Sequence, residues 1–175
     1  MRVLSVLVPV LVVGAAIVAG AAEQPKETLV IDATLKTLEG DPVNLADYRG
    51  KAVLIVNTAS KCGYTKQYAG LEKLYRQYRD RGLVVLGVPS PDFANQEFET
   101  AKEIRSFCDA SFDVSFPLLE LSHVKGERKI PLYAALTEQT PEGIRGEVRW
   151  NFTKFLIDPQ GRVVQRFEPA VEPLS

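Results

Sequence analysis

The uncharged run Ala52-Val53-Leu54-Ile55-Val56-Asn57 and, after Thr58, the loop Ala59-Ser60-Lys61-Cys62-Gly63-Tyr64-Thr65 decide how the rest of the chain is read. A run of this length, rich in Val and Ile, predicts a strand buried on both faces. Beyond the loop, apolar residues recur at Tyr68, Leu71, Leu74, Tyr75 and Tyr78, while Glu72, Lys73, Arg76 and Arg79 hold the other side. This spacing predicts an amphipathic helix, which Gly82 is expected to end as a C-terminal cap. Leu83 to Val88 is a second apolar run of strand length. Strand, helix and strand in that order predict a parallel pair joined by a crossover.

Working outward, Leu29 to Thr34 and Pro42 to Leu45 read as short strands around the Glu39-Gly40-Asp41 turn, an N-terminal hairpin. Downstream, Glu99 to Asp109 has helical spacing at Ala101, Ile104, Phe107 and Cys108. A short strand is expected near Phe116 to Leu121 and another helix over Pro131 to Gln139. Phe152 to Ile157 and Arg162 to Phe167, joined by Asp158-Pro159-Gln160-Gly161, read as a second hairpin. This mixture has the outline of an α/β, thioredoxin-like fold, with a central mixed sheet flanked by helices and a cysteine where the first core strand runs into its helix.

Composition removes several function classes. Lys and Arg total 21 and Asp and Glu 22, a net charge of -1 without a basic stripe, so no nucleic-acid partner is expected. Two Cys and one His are too few for a zinc site of four such ligands or for a disulfide-rich scaffold. Residues Val3 to Ala22 are uncharged, follow Arg2 and finish in Ala19-Gly20-Ala21-Ala22. Residues 1–22 therefore read as a secretory signal peptide cleaved after Ala21 or Ala22, leaving residues 23–175 as one periplasmic or secreted domain. The alternative is an uncleaved membrane anchor, since about 20 apolar residues suffice to span a bilayer.

The chemistry narrows to the cysteines. Cys62 falls at the carboxyl end of a strand just before a helix, where N–H groups and the nearby Lys61 and Lys66 favour a thiolate; the bland reading is a small buried residue. Cys108 lies on the apolar face of its helix and on that ground reads equally as core. The two are 46 positions apart, which excludes a local Cys-x-x-Cys motif. His123, the only histidine, stands in the polar stretch Ser122-His123-Val124-Lys125-Gly126 and reads as an exposed turn residue. A Cys-His hydrolase is thus disfavoured, whereas a cysteine without a base can still attack a peroxide.

Asn57-Thr58-Ala59-Ser60-Lys61-Cys62-Gly63-Tyr64-Thr65 and Trp150-Asn151-Phe152-Thr153-Lys154-Phe155-Leu156 strongly resemble the glutathione peroxidase family. Leu86-Gly87-Val88-Pro89 and Phe93-Ala94-Asn95-Gln96-Glu97 match between them, and the resemblance runs from about Thr28 to Pro169. It implies that Cys62 is the peroxidatic residue and that Gln96, Trp150 and Asn151 complete a catalytic tetrad. Two amides and an indole N–H are neutral donors able to hold a thiolate. Taken singly, Trp150 reads as core and Asn151 as a turn residue or part of a glycosylation sequon; their conjunction with Cys62 changes that.

Cys108, in Ser106-Phe107-Cys108-Asp109, matches the resolving cysteine of the family's thioredoxin-dependent branch. The resemblance then implies a hydroperoxide substrate, a thioredoxin-like protein or glutathione as reductant, no cofactor, and a monomer, because the insertion of tetrameric relatives is missing between Tyr133 and Trp150. A peroxide sensor passing its disulfide to a client and a redox-inert binding module are the competing functions. Departures from the family are Ser90-Pro91-Asp92 where many relatives have Cys-Asn-Gln, and Phe98 where Pro often follows Gln-Glu. The Pro91-Asp92 change bears on the loop carrying Gln96. The sequence ends at Leu174-Ser175 where relatives usually enter a final helix, which bears on the packing of one sheet face.

Overall fold

The structure is a computed structural model describing residues 33–175. The signal segment and most of the first expected strand lie outside these residues. Among the described residues no helix is long and apolar enough to cross a membrane. The expected N-terminal hairpin places β1 at Thr34–Lys36, later than its sequence signal, pairing antiparallel with β2 at Pro42–Asn44.

The main sheet has four strands: β3 (Ala52–Thr58), β4 (Leu83–Pro89), β5 (Lys154–Ile157) and β6 (Val163–Phe167), in the order β4-β3-β5-β6. β3 runs parallel to β4 and antiparallel to β5, and β5 forms a hairpin with β6. The sheet is therefore mixed, as its pattern of runs and turns predicts. β3 is central and covered on both faces, which is why its sequence is apolar without alternation. Val53 and Ile55 face a core completed by Leu132, Tyr133 and Leu136, and Leu54 and Val56 face one completed by Tyr68, Leu71, Ile104 and Cys108. These partners come from α3 (Pro131–Glu138) on one side and from α1 (Gln67–Tyr78) and α2 (Ala101–Phe112) on the other. After α1 a 3-10 turn over Arg79–Arg81 leads to Gly82, whose φ of 91° supplies the left-handed stop expected of a glycine there.

Two strand expectations are corrected. Residues 116–121 form only isolated bridges, Leu119 with Thr37 and Leu118 with Gly87. Pro117 has no N–H for a ladder, yet its C=O accepts from Gly87 N–H at 3.0 Å, and Leu119 N–H returns to Gly87 C=O at 2.8 Å. A Cβ on Gly87 would lie 2.5 Å from Leu118 Cδ2, so a side chain there would displace Leu118. The strand expected from Phe152 begins instead at Lys154, because Phe152 takes a left-handed φ of 64°. That turn orients the two residues before it.

On the α1 side of the sheet a cavity of about 500 Å³ opens between Leu54, Leu74, Leu83, Leu156, Phe167 and Val171. Lys154, on this face, is buried and donates to Val171 C=O at 2.6 Å. Burial pushes its ammonium down to about 8, with Glu172 pulling the other way. The cavity lies toward the start of β3, the end opposite Cys62.

Candidate active site

Cys62 sits between β3 and α1, in a turn that its own backbone builds. Its N–H donates to Thr65 Oγ1 at 2.9 Å, and the Thr65 hydroxyl donates in turn to Ala59 C=O at 2.8 Å. Thr65 N–H returns to Cys62 C=O at 3.0 Å. This leaves Tyr64 N–H directed at the sulfur, 3.4 Å from Sγ. The side chain is buried at 8% exposure. The sheltered sulfur thus faces one backbone N–H donor.

The loop after β4 brings the next group. Ala94 and Asn95 adopt left-handed φ values of 55° and 50°, and the chain then presents Gln96. Gln96 C=O accepts from Lys61 N–H at 2.8 Å, and Glu97 Oε1 accepts from Ser60 N–H at 3.1 Å and from Phe98 N–H at 2.8 Å. The residues flanking Cys62 are thus stitched to the residues around Gln96. Burial raises the Glu97 carboxyl above its usual range, against the pull of Ser60, the Phe98 N–H and Lys61. Lys61 Nζ lies 4.0 Å from the centre of the Phe98 ring, so the departure at Phe98 supplies a cation–π partner beside the cysteine.

The third segment precedes β5. Asn151, fully buried, donates from Nδ2 to Gln96 Oε1 at 3.1 Å. Asn57 Nδ2 donates to Trp150 C=O at 3.1 Å, and Asn57 C=O accepts from Phe152 N–H, so the end of β3 locks the Trp150-Asn151 turn. Trp150 keeps 38% of its surface exposed and packs on the buried Phe93, ring centres 5.7 Å apart. Gln96, Trp150 and Asn151 therefore converge through direct contacts with one another's segments, and Gln96 is tied by backbone to the residue before Cys62.

Cys108 is fully buried on α2, and both cysteines are free thiols. Burial pushes its thiol up to about 11, with the nearby Tyr68 hydroxyl favouring the anion. Tyr68 OH nevertheless completes no hydrogen bond in this geometry. Cys108 is thus a secluded thiol on the core face of α2. His123 is corrected from an exposed turn residue to a partnered one, its Nδ1 2.5 Å from Asp92 Oδ1. Asn57, Thr65 and Glu97 stand out in the sequence only as parts of motifs; their specific bonds arise from tertiary approach. Among the described residues there is no cluster of His, Cys, Asp or Glu fit for a metal.

The family model for glutathione peroxidase matches residues 30–137. A glutathione peroxidase of Lactococcus lactis subsp. cremoris is 46% identical over 136 residues, covering 78% of this chain and 87% of the relative. A glutathione peroxidase-like peroxiredoxin of Chlamydomonas reinhardtii is 49% identical over 139 residues, covering 79% and 86%. A hydroperoxy fatty acid reductase of Synechocystis is 46% identical over 142 residues, covering 78% and 84%. Among solved structures, the apo form of Trgpx superposes with a TM-score of 0.67 at 36% identity, over 84% of this chain and 89% of that one. A thioredoxin family thiol:disulfide interchange protein of Chlorobium tepidum, at 16% identity and a TM-score of 0.63 over 86% and 92%, shares the fold. A buried cysteine at a strand-to-helix turn, with this breadth of matching sequence around it, is that of a peroxidase acting on a peroxide with a thiol reductant, and the chain belongs to the glutathione peroxidase family.

Proposed function

We propose that the protein is a two-cysteine peroxidase, reducing hydrogen peroxide and organic or lipid hydroperoxides through Cys62 and Cys108. The observation that carries this reading is the sheltered Cys62 sulfur, facing Tyr64 N–H, with the loop before it bonded to the segment of the Gln96–Asn151 pair. The Cys62 thiolate attacks one peroxide oxygen; the O–O bond breaks, and the other oxygen leaves as water or an alcohol after taking a proton. Gln96, Trp150 and Asn151 act as neutral donors toward the thiolate and the developing oxyanion. Cys62 is left as a sulfenic acid.

Cys108 then attacks the Cys62 sulfur, the S–O bond breaks, water departs and a disulfide forms. This requires Cβ atoms about 3.8 Å apart, so part of α2 must open to release its buried thiol. A thioredoxin-like dithiol restores both cysteines by exchange, its own pair becoming oxidised. The fatty acid reductase among the relatives supports lipid hydroperoxides as the substrate class. We further infer a monomer, exported with the loss of residues 1–21 or 1–22, for which a mature start at Ala22 or Glu23 in a soluble extracytoplasmic fraction is the expected observation.

The test compares peroxide consumption with a thioredoxin system and with glutathione, in the wild type, Cys62→Ser and Cys108→Ser. Cys62→Ser is expected to abolish turnover. Cys108→Ser is expected to stall at sulfenic acid after one thioredoxin-driven turnover. Peroxide consumption by Cys62→Ser rejects the nucleophile. Failure to find a Cys62–Cys108 linked peptide in peroxide-treated wild type rejects the two-cysteine cycle.

A further inference from the structure

The loop that carries Gln96 is also held at Asp92, ahead of its left-handed turn. His123 Nδ1 lies 2.5 Å from Asp92 Oδ1, while the N–H groups of Val124 and Lys125 donate to Asp92 Oδ2 at 2.7 and 3.2 Å. Both carboxylate oxygens are thus taken by one segment, and the Asp92 side chain is only 8% exposed. Ser90 Oγ accepts the Asp92 N–H at 3.4 Å. The partner segment is itself fixed, by Ser122 N–H on Pro89 C=O and Ile130 N–H on His123 C=O, each at 2.9 Å.

The residues after Asp92 need such an anchor. Phe93 packs beneath Trp150, and Lys125 Nζ lies 4.7 Å from its ring centre. Ala94 and Asn95 come next, two consecutive left-handed residues that side chains disfavour. A turn of this kind persists only when both of its ends are held. Gln96 and Glu97 hold one end through Lys61 and Ser60, and Asp92 holds the other.

We propose that Asp92 and His123 are positioning residues of the peroxidatic site, a clasp that fixes the Ala94-Asn95 turn and so keeps Gln96 against Asn151 and Phe93 beneath Trp150. The proposal rests on the reading of Cys62, Gln96 and Trp150 given above. Burial works against the Asp92 charge, but the His123 bond and the two backbone N–H groups hold its carboxyl below the usual range. The acceptor is therefore charged at neutral pH, and the imidazole can donate from Nδ1 whether neutral or protonated. Lys125, Glu127 and Arg128 are the other charged groups lining the same cleft. The charge of Asp92 finds its partner in the chain's only histidine.

Trp150 is the only tryptophan, so its fluorescence reports this loop directly. The experiment follows Cys62 oxidation by hydrogen peroxide in stopped flow, together with Trp150 emission, at a temperature where circular dichroism finds every variant folded. His123→Ala is expected to slow oxidation about tenfold through misplacement of Gln96 and to shift the emission. His123→Asn, whose amide donates near the Nδ1 position, is expected to recover both to within about threefold of wild type on the same scale. Asp92→Asn, which sets an amide against donors, should slow oxidation at least as much as His123→Ala, and Glu127→Gln should change neither readout. A His123→Ala rate within twofold of wild type overturns the clasp, as does a lowered melting temperature without change in rate and emission, or no recovery in His123→Asn. If His123→Ala does not fold, Asp92→Asn decides by the same criteria. Should wild-type oxidation prove independent of Cys62, the functional reading fails; the clasp is then supported by an emission shift in His123→Ala that His123→Asn reverses, and overturned by its absence.

Discussion

Asn151 illustrates how much one side chain carries at this site. It is fully buried, spends one amide hydrogen on Gln96 Oε1, and leaves its own Oδ1 without a partner. A buried polar atom left unmatched is costly, so groups of this kind concentrate where chemistry uses them. Trp150→Phe and Asn151→Ala are each expected to slow Cys62 oxidation by about 10 to 1,000-fold, as loss of one oxyanion-type donor does. Stopped-flow oxidation measures this, and rates within twofold of wild type would remove these residues from the reaction. Cys62, Gln96, Trp150 and Asn151 are legible in the sequence because they sit inside recognisable motifs. The partnership of His123 is not, because Asp92 lies 31 positions away and only the folded loops bring them together. Thr65 and Asn57 act by bonding backbone, which no residue pattern announces.

In the proposed two-cysteine cycle, α2 is where an element's stability becomes a rate. Thr100 caps it, its Oγ1 accepting from Glu103 N–H at 3.2 Å and its hydroxyl donating to Glu103 Oε2 at 2.6 Å. At the other end Asp113 turns left-handed, with φ of 50°, and returns its N–H to Asp109 and Cys108 carbonyls. The helix thus runs past the expected Asp109 to Phe112. Thr100→Ala should weaken the cap by about 1 kcal/mol, raising the open population about fivefold. Conversion of the Cys62 sulfenic acid to the disulfide is expected to quicken by a similar factor, with the initial oxidation unchanged. Rapid quenching and mass spectrometry follow both steps, and an unchanged conversion would mean that Cys108 is reached without opening α2. Helix periodicity is readable because apolar spacing survives local detail. The segment 116–121 is not, since its pairing depends on Pro117 and on the bare backbone of Gly87.

At the scale of the whole molecule, the mixed sheet collects the site at one end of β3 and buries Lys154 at the start of β5, opposite Val56. Its ammonium titrates near 8 in the folded protein, below the ordinary 10.5. Below about 8 both folded and unfolded chains carry the charge, and the fold bears its burial. Between about 8 and 10.5 the folded state releases its proton first and the unfolded state binds more, so this residue makes stability rise with pH. Denaturant melts across that window should show the rise in wild type relative to Lys154→Met; parallel pH profiles would refute it. The parallel pair and the hairpin are inferable from the crossover and the turn, but the β3–β5 pairing that joins them is not, and Lys154 reads in sequence as one more motif residue, because its burial comes from a chain segment that folds back over it. The seclusion of Cys108 also sets a dose limit on the proposed peroxidase. While Cys62 waits as a sulfenic acid for α2 to open, a second peroxide can oxidise it to the sulfinic acid, which thiols do not reverse. Helix opening is then a fuse: at low peroxide the disulfide forms first and the molecule is reused, and at high peroxide the second oxidation overtakes it and the molecule is retired, with Thr100→Ala moving the crossover to higher dose.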